Sequence, residues 1–393
     1  DKYVWYRMGY TESIPEVNAR GIVPCNEGHR YSFRNAPTVI QLSCIARDKR
    51  IALVANLLDW DYYNSKLYNT DVVFDTDGTF LAKYHKLNLW GEQGYIDVPT
   101  DCPEVTFTTS FNVTFGVITC ADLIYKFPVL DLVAKGVKNF VMPAAWDNSM
   151  AQMQVMAYVQ GWSLAHKTNI VLSNLQWNGR STSSGSGIWS AGMPLAHHYA
   201  RSNEDSSPLV AEIPEPGAGR RLQAMNTSES WEQFSLLSFE SDSSWKFATL
   251  SSGKLCTRSV CCQASVTSGS STGYVLAALD GRDSGGDSSW SAQICAVLPC
   301  SAPGSSCLQY HEPDMESDLK GLSLKMSGLT AESVVPEVIA MERQGDSQKT
   351  LPPVVGLESM HFESSGSEAQ LSLSTSTYLS SALIYSRAFN EPL

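Results

Sequence analysis

Apolar runs and helical stripes alternate as far as about residue 215, then the helical stripes nearly vanish. From Thr38 to Lys49 the apolar positions Val39, Ile40, Leu42, Ile45 and Ala46 approach the stripe of an amphipathic helix. Ile51 to Leu57 is a short continuous apolar run that suits a buried strand. Asp71 to Asp75 and Phe80 to Tyr84 flank Thr76-Asp77-Gly78, which predicts a hairpin around an Asp-Gly turn. Phe115 to Thr119 predicts another buried strand, ending at Cys120. A helix over Val129 to Lys135, a strand at Phe140 to Met142, a longer helix over Met153 to His166 and a strand at Ile170 to Asn174 follow. Alternation of this kind argues for a layered α/β domain.

Pro214-Glu215-Pro216-Gly217-Ala218-Gly219 breaks the pattern and reads as a linker. Beyond it, runs such as Trp245 to Leu250, Tyr274 to Leu279 and Ser291 to Leu298 lie between Ser/Gly clusters, the pattern of an antiparallel β domain. Ser364 to Ser381 is Ser-rich but keeps alternating Leu and a Tyr, so strands are expected there too. The expected organisation is an α/β domain over 1–215 and a β-rich domain over 216–393.

Composition narrows the function classes. The 393 residues are 43% hydrophobic, enough for a sizeable core. Charged residues are sparse at 17% and the net charge is −12, with no basic run, which argues against a nucleic-acid partner. No apolar stretch approaches the roughly 18 residues that would span a bilayer. The chain opens at Asp1 without a charged segment followed by an apolar one. A removed leader or an incomplete N-terminus is therefore expected.

Cysteine usage points away from the cytosol. Of ten cysteines, six (Cys256, Cys261, Cys262, Cys295, Cys300 and Cys307) cluster in the C-terminal half. Their spacing lacks the Cys-x-x-Cys knuckles of a zinc site and reads as a disulfide framework whose connectivity stays open. The tripeptides Asn112-Val113-Thr114 and Asn226-Thr227-Ser228 are glycosylation acceptors that fit an exported chain.

Cys120 stands apart from the other cysteines. It directly follows a buried strand, and a strand end presents its side chain where α/β enzymes place reacting groups. A thiol becomes a nucleophile as its thiolate, which needs nearby positive charge or donors. The segment Lys83-Tyr84-His85-Lys86-Leu87-Asn88-Leu89-Trp90-Gly91-Glu92 supplies such groups. A lysine at a strand end can stabilise an oxyanion or a thiolate, and Glu92 can fix its ammonium. Read alone, Cys120 is first an ordinary core cysteine, and the lysine segment is first a solvated hairpin end.

Taken together, Tyr84-His85-Lys86-x-Asn88-Leu89 with Gly91-Glu92, then Phe115 to Cys120 with Asp122, Pro143-x-Ala145-Trp146 and Gly185-Ser186-Gly187-Ile188 closely resemble the vanin and biotinidase branch of the nitrilase (carbon–nitrogen hydrolase) superfamily. Cys261-Cys262, Ala278-Leu279-Asp280-Gly281, Gln293-Ile294-Cys295 and Leu298-Pro299-Cys300 look like that branch's C-terminal domain. The resemblance implies a nitrilase-like α-β-β-α sandwich followed by a disulfide-bonded β domain. It implies hydrolysis of a small linear amide through a Cys thioester, without metal or cofactor, in a secreted glycoprotein. Cys120 takes the nucleophile's position, Lys86 that of the catalytic lysine, and Glu92 that of the additional glutamate. Trp146 falls where the family lines its substrate pocket, although a core tryptophan reads the same way. The Lys86-x-Asn88-Leu89 version favours a pantetheinase-like amidase; a biotin-amide hydrolase is the near alternative.

One element of the pattern is missing. The family's general base is a glutamate from an early Pro-Glu segment after a buried strand, upstream of everything in this sequence. Ile14-Pro15-Glu16-Val17-Asn18 has no apolar strand before it, and Glu12 and Glu27 lack that context too. The expectation is that an early part of the catalytic domain is absent, leaving an apolar sheet edge and a poorly stable chain. A catalytically inactive secreted glycoprotein is the rival of another class. By the same resemblance Cys25 pairs with Cys44, which leaves Cys102 without an obvious mate. His197-His198 has too few companions for a metal site, and Arg220-Arg221 reads as a solvated pair rather than a processing site.

Overall fold

The structure is a computed structural model that describes residues 9–16, 21–101, 104–148, 153–175, 183–199, 208–214, 245–285, 288–300, 302–308, 318–344, 347–350, 357–375, 378–387 and 389. Cys102, Asn226, Arg220-Arg221 and most of the expected linker lie outside these residues. Contacts divide the chain into two compact units, one of Asp1–Ala144 with Val171–Ser173, the other of Ala145–Ile170 with Asn174–Leu393.

In the first unit the predicted helix forms as α1 (Pro37–Lys49), with proline in its first turn, where a missing N–H costs nothing. Ala36 cannot cap it. Glu12 does so instead, its carboxylate accepting the N–H groups of Thr38 at 2.7 Å and Val39 at 3.3 Å. Then come β1 (Leu53–Asp61), β2 (Lys66–Phe74) and β3 (Phe80–His85), an antiparallel sheet in the order β1-β2-β3. The Asp-Gly turn between β2 and β3 lies against α1. Gly78 has φ +82, and a Cβ there would sit 2.6 Å from the Ser43 carbonyl oxygen, so only glycine fits.

The second sheet of this unit runs β4 (Thr106–Thr108), β5 (Thr114–Val117), β6 (Asn139–Ala144), continued by residues 171–173 of β7 (Asn169–Asn174). β5 and β6 are parallel, so a crossover must join them. It consists of a 3-10 turn at Cys120–Ile124 and helix α2 (Val129–Ala134).

Strand parity sorts the side chains into layers. Val72 and Phe74 pack with Phe80, Val39, Ala46, Phe33 and Ile14 on the α1 side. Val73, Ala82 and Tyr84 face the other way and meet Phe107 and Val117 of the second sheet. Gly116 lies on the outer face of that sheet, where a Cβ would be 2.9 Å from the Phe140 ring and 3.2 Å from a Leu132 methyl, so α2 packs flat on the strand. The layers are therefore α1, sheet, sheet, α2, the expected α-β-β-α sandwich. The helix stripe is narrower than its apolar residues suggest. Val39, Ser43 and Ala46 form the buried line, while Ile45 is 46% exposed. Ser43 earns its buried place by donating to Gly78 O at 2.7 Å and accepting the Cys25 N–H at 3.1 Å.

The second unit contains α3 (Val155–His166) and the hairpin β8 (Ser186–Ser190)–β9 (Met193–His198). Its remaining strands are β10 (Lys246–Thr249), β11 (Lys254–Cys256), β12 (Cys261–Gly269), β13 (Tyr274–Gly285), β14 (Ser288–Pro299), β15 (Leu319–Ser327), β16 (Ser333–Gln344), β17 (Ser347–Thr350), β18 (Leu357–Ser365), β19 (Glu368–Thr375) and β20 (Tyr378–Arg387). They form a six-stranded sheet, β10-β13-β14-β20-β16-β17, and a five-stranded sheet, β11-β12-β15-β19-β18. Leu276, Val297, Ile384, Leu322, Leu324 and Leu371 fill the space between them. Val275, Ala277 and Leu279 point to the opposite face of β13 and are buried as well, which is why that run reads apolar throughout.

The cysteines pair as Cys25–Cys44, Cys256–Cys261, Cys262–Cys295 and Cys300–Cys307. Cys262 lies on β12 and Cys295 on β14, so that bond joins the two sheets. Among the described residues Cys120 is the free cysteine.

Candidate active site

Cys120 stands at the first position of the 3-10 turn, with a backbone φ of +48. A left-handed conformation is unfavourable for a residue with a Cβ and persists only where the surroundings enforce it. Asp122 provides one enforcement. It is fully buried and accepts four hydrogen bonds: the Thr119 N–H at 2.9 Å, the Tyr84 hydroxyl at 2.8 Å, and the Asn88 N–H and side-chain amide at 3.0 and 2.8 Å. Burial raises its proton affinity, while the bonds from Thr119, Tyr84 and Asn88 lower it. One carboxylate thus ties the Cys120 turn to the end of β3 and to the loop beyond it. Asn88 extends the tie to the Phe127 carbonyl at 2.8 Å.

Lys86 follows β3 immediately, and its N–H bonds to the Asn69 carbonyl of β2 at 2.8 Å. The side chain is buried, 3% exposed, and its ammonium donates to Glu92 Oε2. Burial disfavours the charge on Lys86, but the negative charges of Cys120 and Glu92 outweigh it and the amine's pKa is raised. Of the three residues singled out in the sequence, Cys120 and Glu92 therefore each act electrostatically on Lys86.

Asp71, in the middle of β2, is a buried carboxylate beside Thr119 that motif reading missed. It pairs across the sheet with Asn56 on β1 and Tyr84 on β3, on the face turned toward the second sheet. Its carboxylate accepts the Asn56 amide at 2.7 Å and the Thr119 hydroxyl at 2.7 Å. Burial pushes its pKa up to about 7, against the opposing pull of Asn56 and Thr119. The available signal was a charged residue immediately before the apolar run Val72-Val73-Phe74, at the parity of the inter-sheet position Val73.

The early glutamates are occupied elsewhere. Glu12 caps α1. Glu16 pairs with Lys83, which also donates to the Ile14 carbonyl at 3.0 Å and to Asp59 at 3.1 Å. Lys83 pairs with Val72 across the sheet and so lies on the α1 side, opposite in parity to Tyr84. Glu27 opens a four-residue helix and is exposed.

Trp146 belongs to the second unit, buried at 6% exposure, with its indole N–H bonded to the Met153 carbonyl at 2.9 Å and its ring 5.8 Å from Tyr158. His197, on β9, is buried, and burial next to His198 depresses its pKa to about 4. Among the described residues no group of three metal-ligating side chains comes together. Asn112 is exposed in the turn between β4 and β5 at φ +63.

Comparison with known proteins matches both halves. Residues 14–168 fit the family model for carbon-nitrogen hydrolases, and residues 228–392 fit that for the vanin C-terminal domain. The pantetheinase of Bos taurus is 30% identical over 315 residues, which cover 74% of this chain and 61% of the relative. The biotinidase of Takifugu rubripes is 29% identical over 79% of this chain and 69% of its own length. The pantetheinase of Homo sapiens is 28% identical over 85% and 69%. The matched region thus spans about 60 to 70% of these relatives' length. Among solved structures, Nit3 of Saccharomyces cerevisiae, a nitrilase-superfamily member, is 20% identical with a TM-score of 0.39 over 43% of this chain and 63% of its own. A carbon–nitrogen hydrolase domain followed by a vanin C-terminal domain, with pantetheinases and biotinidases as relatives along most of the chain, makes this protein a member of the vanin/biotinidase branch of the carbon–nitrogen hydrolases.

Proposed function

We propose that the chain is a cysteine amidohydrolase acting on a small linear amide, with Cys120 as nucleophile, Lys86 stabilising the thiolate and the oxyanion, and Glu92 holding the Lys86 ammonium. The observation that supports this reading is the buried Lys86 ammonium, which donates to the Glu92 carboxylate and whose pKa is raised by the charges of Cys120 and Glu92. A thiolate beside a fixed ammonium is ready to attack a carbonyl carbon. The new C–S bond pushes the carbonyl electron pair onto oxygen, where Lys86 and a backbone N–H offset the charge. Collapse breaks the C–N bond, and the leaving amine takes a proton from solvent. Water then adds to the thioester and returns a proton to solvent, and the C–S bond breaks to restore the thiolate. The sum is amide plus water giving acid plus amine.

Pantetheine, cleaved to pantothenate and cysteamine, is the preferred substrate on the Lys86-x-Asn88-Leu89 pattern. A biotin amide is the alternative, since the pantetheinase and biotinidase relatives stand at nearly equal identity. Trp146 is assigned to the substrate side, and Asn112 and Asn226 to glycosylation of a secreted protein, a location that four disulfides favour. The test is hydrolysis of a chromogenic pantothenate amide beside a biotin amide by the whole chain. Turnover of the first that disappears in Cys120→Ala is expected. Turnover of neither amide by the wild-type chain, or equal turnover by the variant, would overturn the reading.

A further inference from the structure

Two carboxylates grip the residue before the nucleophile. Asp122 accepts the Thr119 backbone N–H at 2.9 Å, and Asp71 accepts its hydroxyl at 2.7 Å. The other oxygen of Asp71 accepts the Asn56 amide at 2.7 Å, and that amide nitrogen also reaches Asn69 Oδ1 at 2.6 Å. Asn69 donates to Glu92 Oε1 at 2.6 Å, and the second oxygen of Glu92 takes the Lys86 ammonium. Lys86 in turn interacts with Cys120. A hydrogen-bond chain therefore runs from Thr119, the neighbour of Cys120, through Asp71, Asn56, Asn69 and Glu92 to Lys86, the cation on which the Cys120 charge acts.

We propose that Asp71 is a positioning residue for the reaction at Cys120, pinning the nucleophile turn through the Thr119 hydroxyl and coupling its own charge to the Lys86–Glu92 pair. The proposal rests on the reading of Cys120 as the nucleophile. Pinning matters because Cys120 is held at φ +48, a conformation that relaxes once its neighbour is free to turn. Charge coupling follows from what acts on Asp71: Lys86 from the end of β3, Tyr84 across the sheet, Asp122 from the 3-10 turn, and Glu92 through the amide chain, with Cys120 acting on the same Lys86. Lys86 is the cation shared by all of them. An ionised Asp71 and a Cys120 thiolate compete for it, so their protons come off as coupled steps rather than independently. With its pKa near 7, Asp71 changes charge within the pH range over which the thiol can be labelled.

Alkylation of Cys120 by iodoacetamide between pH 5 and 9, followed on the Cys120 peptide by mass spectrometry, reads this coupling without any substrate. The wild-type rate is expected to rise over a stretched profile. In Asp71→Asn, near-isosteric and uncharged, the profile should narrow to a single titration. Its midpoint should fall by about half a pH unit, giving roughly threefold faster labelling at pH 6. Thr119→Val keeps the Asp71 charge but removes the pin, and should slow the high-pH plateau about fivefold, with recovery in Thr119→Ser. A wild-type profile unchanged in Asp71→Asn, or an unchanged plateau in Thr119→Val, would overturn the proposal. A labelling shift without amide turnover by the wild-type chain would sink the hydrolase reading while leaving the coupling in place.

Discussion

Tyr84 donates its hydroxyl proton to Asp122 Oδ2 at 2.8 Å, linking the third strand of one sheet to the turn that presents Cys120 at the end of another. The same oxygen takes the Thr119 N–H, so the phenol and the Cys120 turn share an acceptor. Tyr84→Phe removes one of four donors from a fully buried carboxylate. Loss of about 1–3 kcal/mol is expected, because the remaining charge must stay buried with less support. Urea unfolding at pH 7 measures it. An unchanged midpoint would mean that the hydroxyl contributes nothing to this tie.

In the proposed reaction Lys86 serves both the thiolate and the oxyanion. Lys86→Met keeps the length of the side chain and removes the ammonium, leaving Glu92 without its partner and the thiolate without its counter-charge. kcat on the pantothenate amide should fall by about 10²–10³, the usual loss for one oxyanion donor, and labelling of Cys120 at pH 7 should fall with it. Labelling at the wild-type rate would dissociate the lysine from the thiol.

Much of this site could be read from the sequence, because its parts follow strand ends. A strand leading into Cys120 and another leading into Lys86 set both residues at sheet edges, and Gly78 fixed the hairpin between β2 and β3. Asp122 and Asn88 stood within the motifs, though their joint role as a staple needed coordinates. Asp71 and Asn56 carried no motif. They are brought together by cross-strand register, a relation between residues 15 apart that neither periodicity nor spacing encodes. Helix α1 was visible by its stripe, but which polar residue joined the stripe was not, since the burial of Ser43 depends on the Gly78 carbonyl opposite it.

Stability should carry the sign of Asp71. A carboxyl whose folded pKa is raised to about 7 from 3.8 keeps its proton longer when folded than when unfolded. Its contribution is full below pH 3.8 and is lost as pH rises through 7. Relative to wild type, Asp71→Asn should therefore gain up to about 4 kcal/mol between pH 4 and pH 8. Paired urea titrations across that range provide the test, and a constant difference would show that Asp71 does not titrate there.

His197 has the opposite sign. Its folded pKa of about 4 lies below the ordinary 6.5, so the unfolded chain takes up the proton first as pH falls. The stability it contributes is complete above pH 6.5 and declines by up to about 3 kcal/mol toward pH 4. His197→Asn should flatten that decline. The effect is separable from Asp71 in the double variant, where the two slopes should add if the sites are independent.

Gly161 tests the packing of the second unit. It lies on α3 facing β16, and a Cβ there would sit 1.7 Å from the Pro336 carbonyl oxygen and 2.8 Å from its carbon. Both atoms are backbone, so neither can rotate away, and the helix must lift off the strand to admit a methyl group. Helix propensity favours alanine by about 1 kcal/mol at this position, yet overpacking against a rigid strand exceeds that gain. Gly161→Ala is expected to lower stability by about 1–3 kcal/mol net. The clash is confined to the second unit, whereas the Asp122 and Asp71 contacts around Cys120 all lie in the first. The labelling rate of Cys120 under native conditions should therefore stay at the wild-type value, and a fall would mean that the turn depends on how α3 is seated.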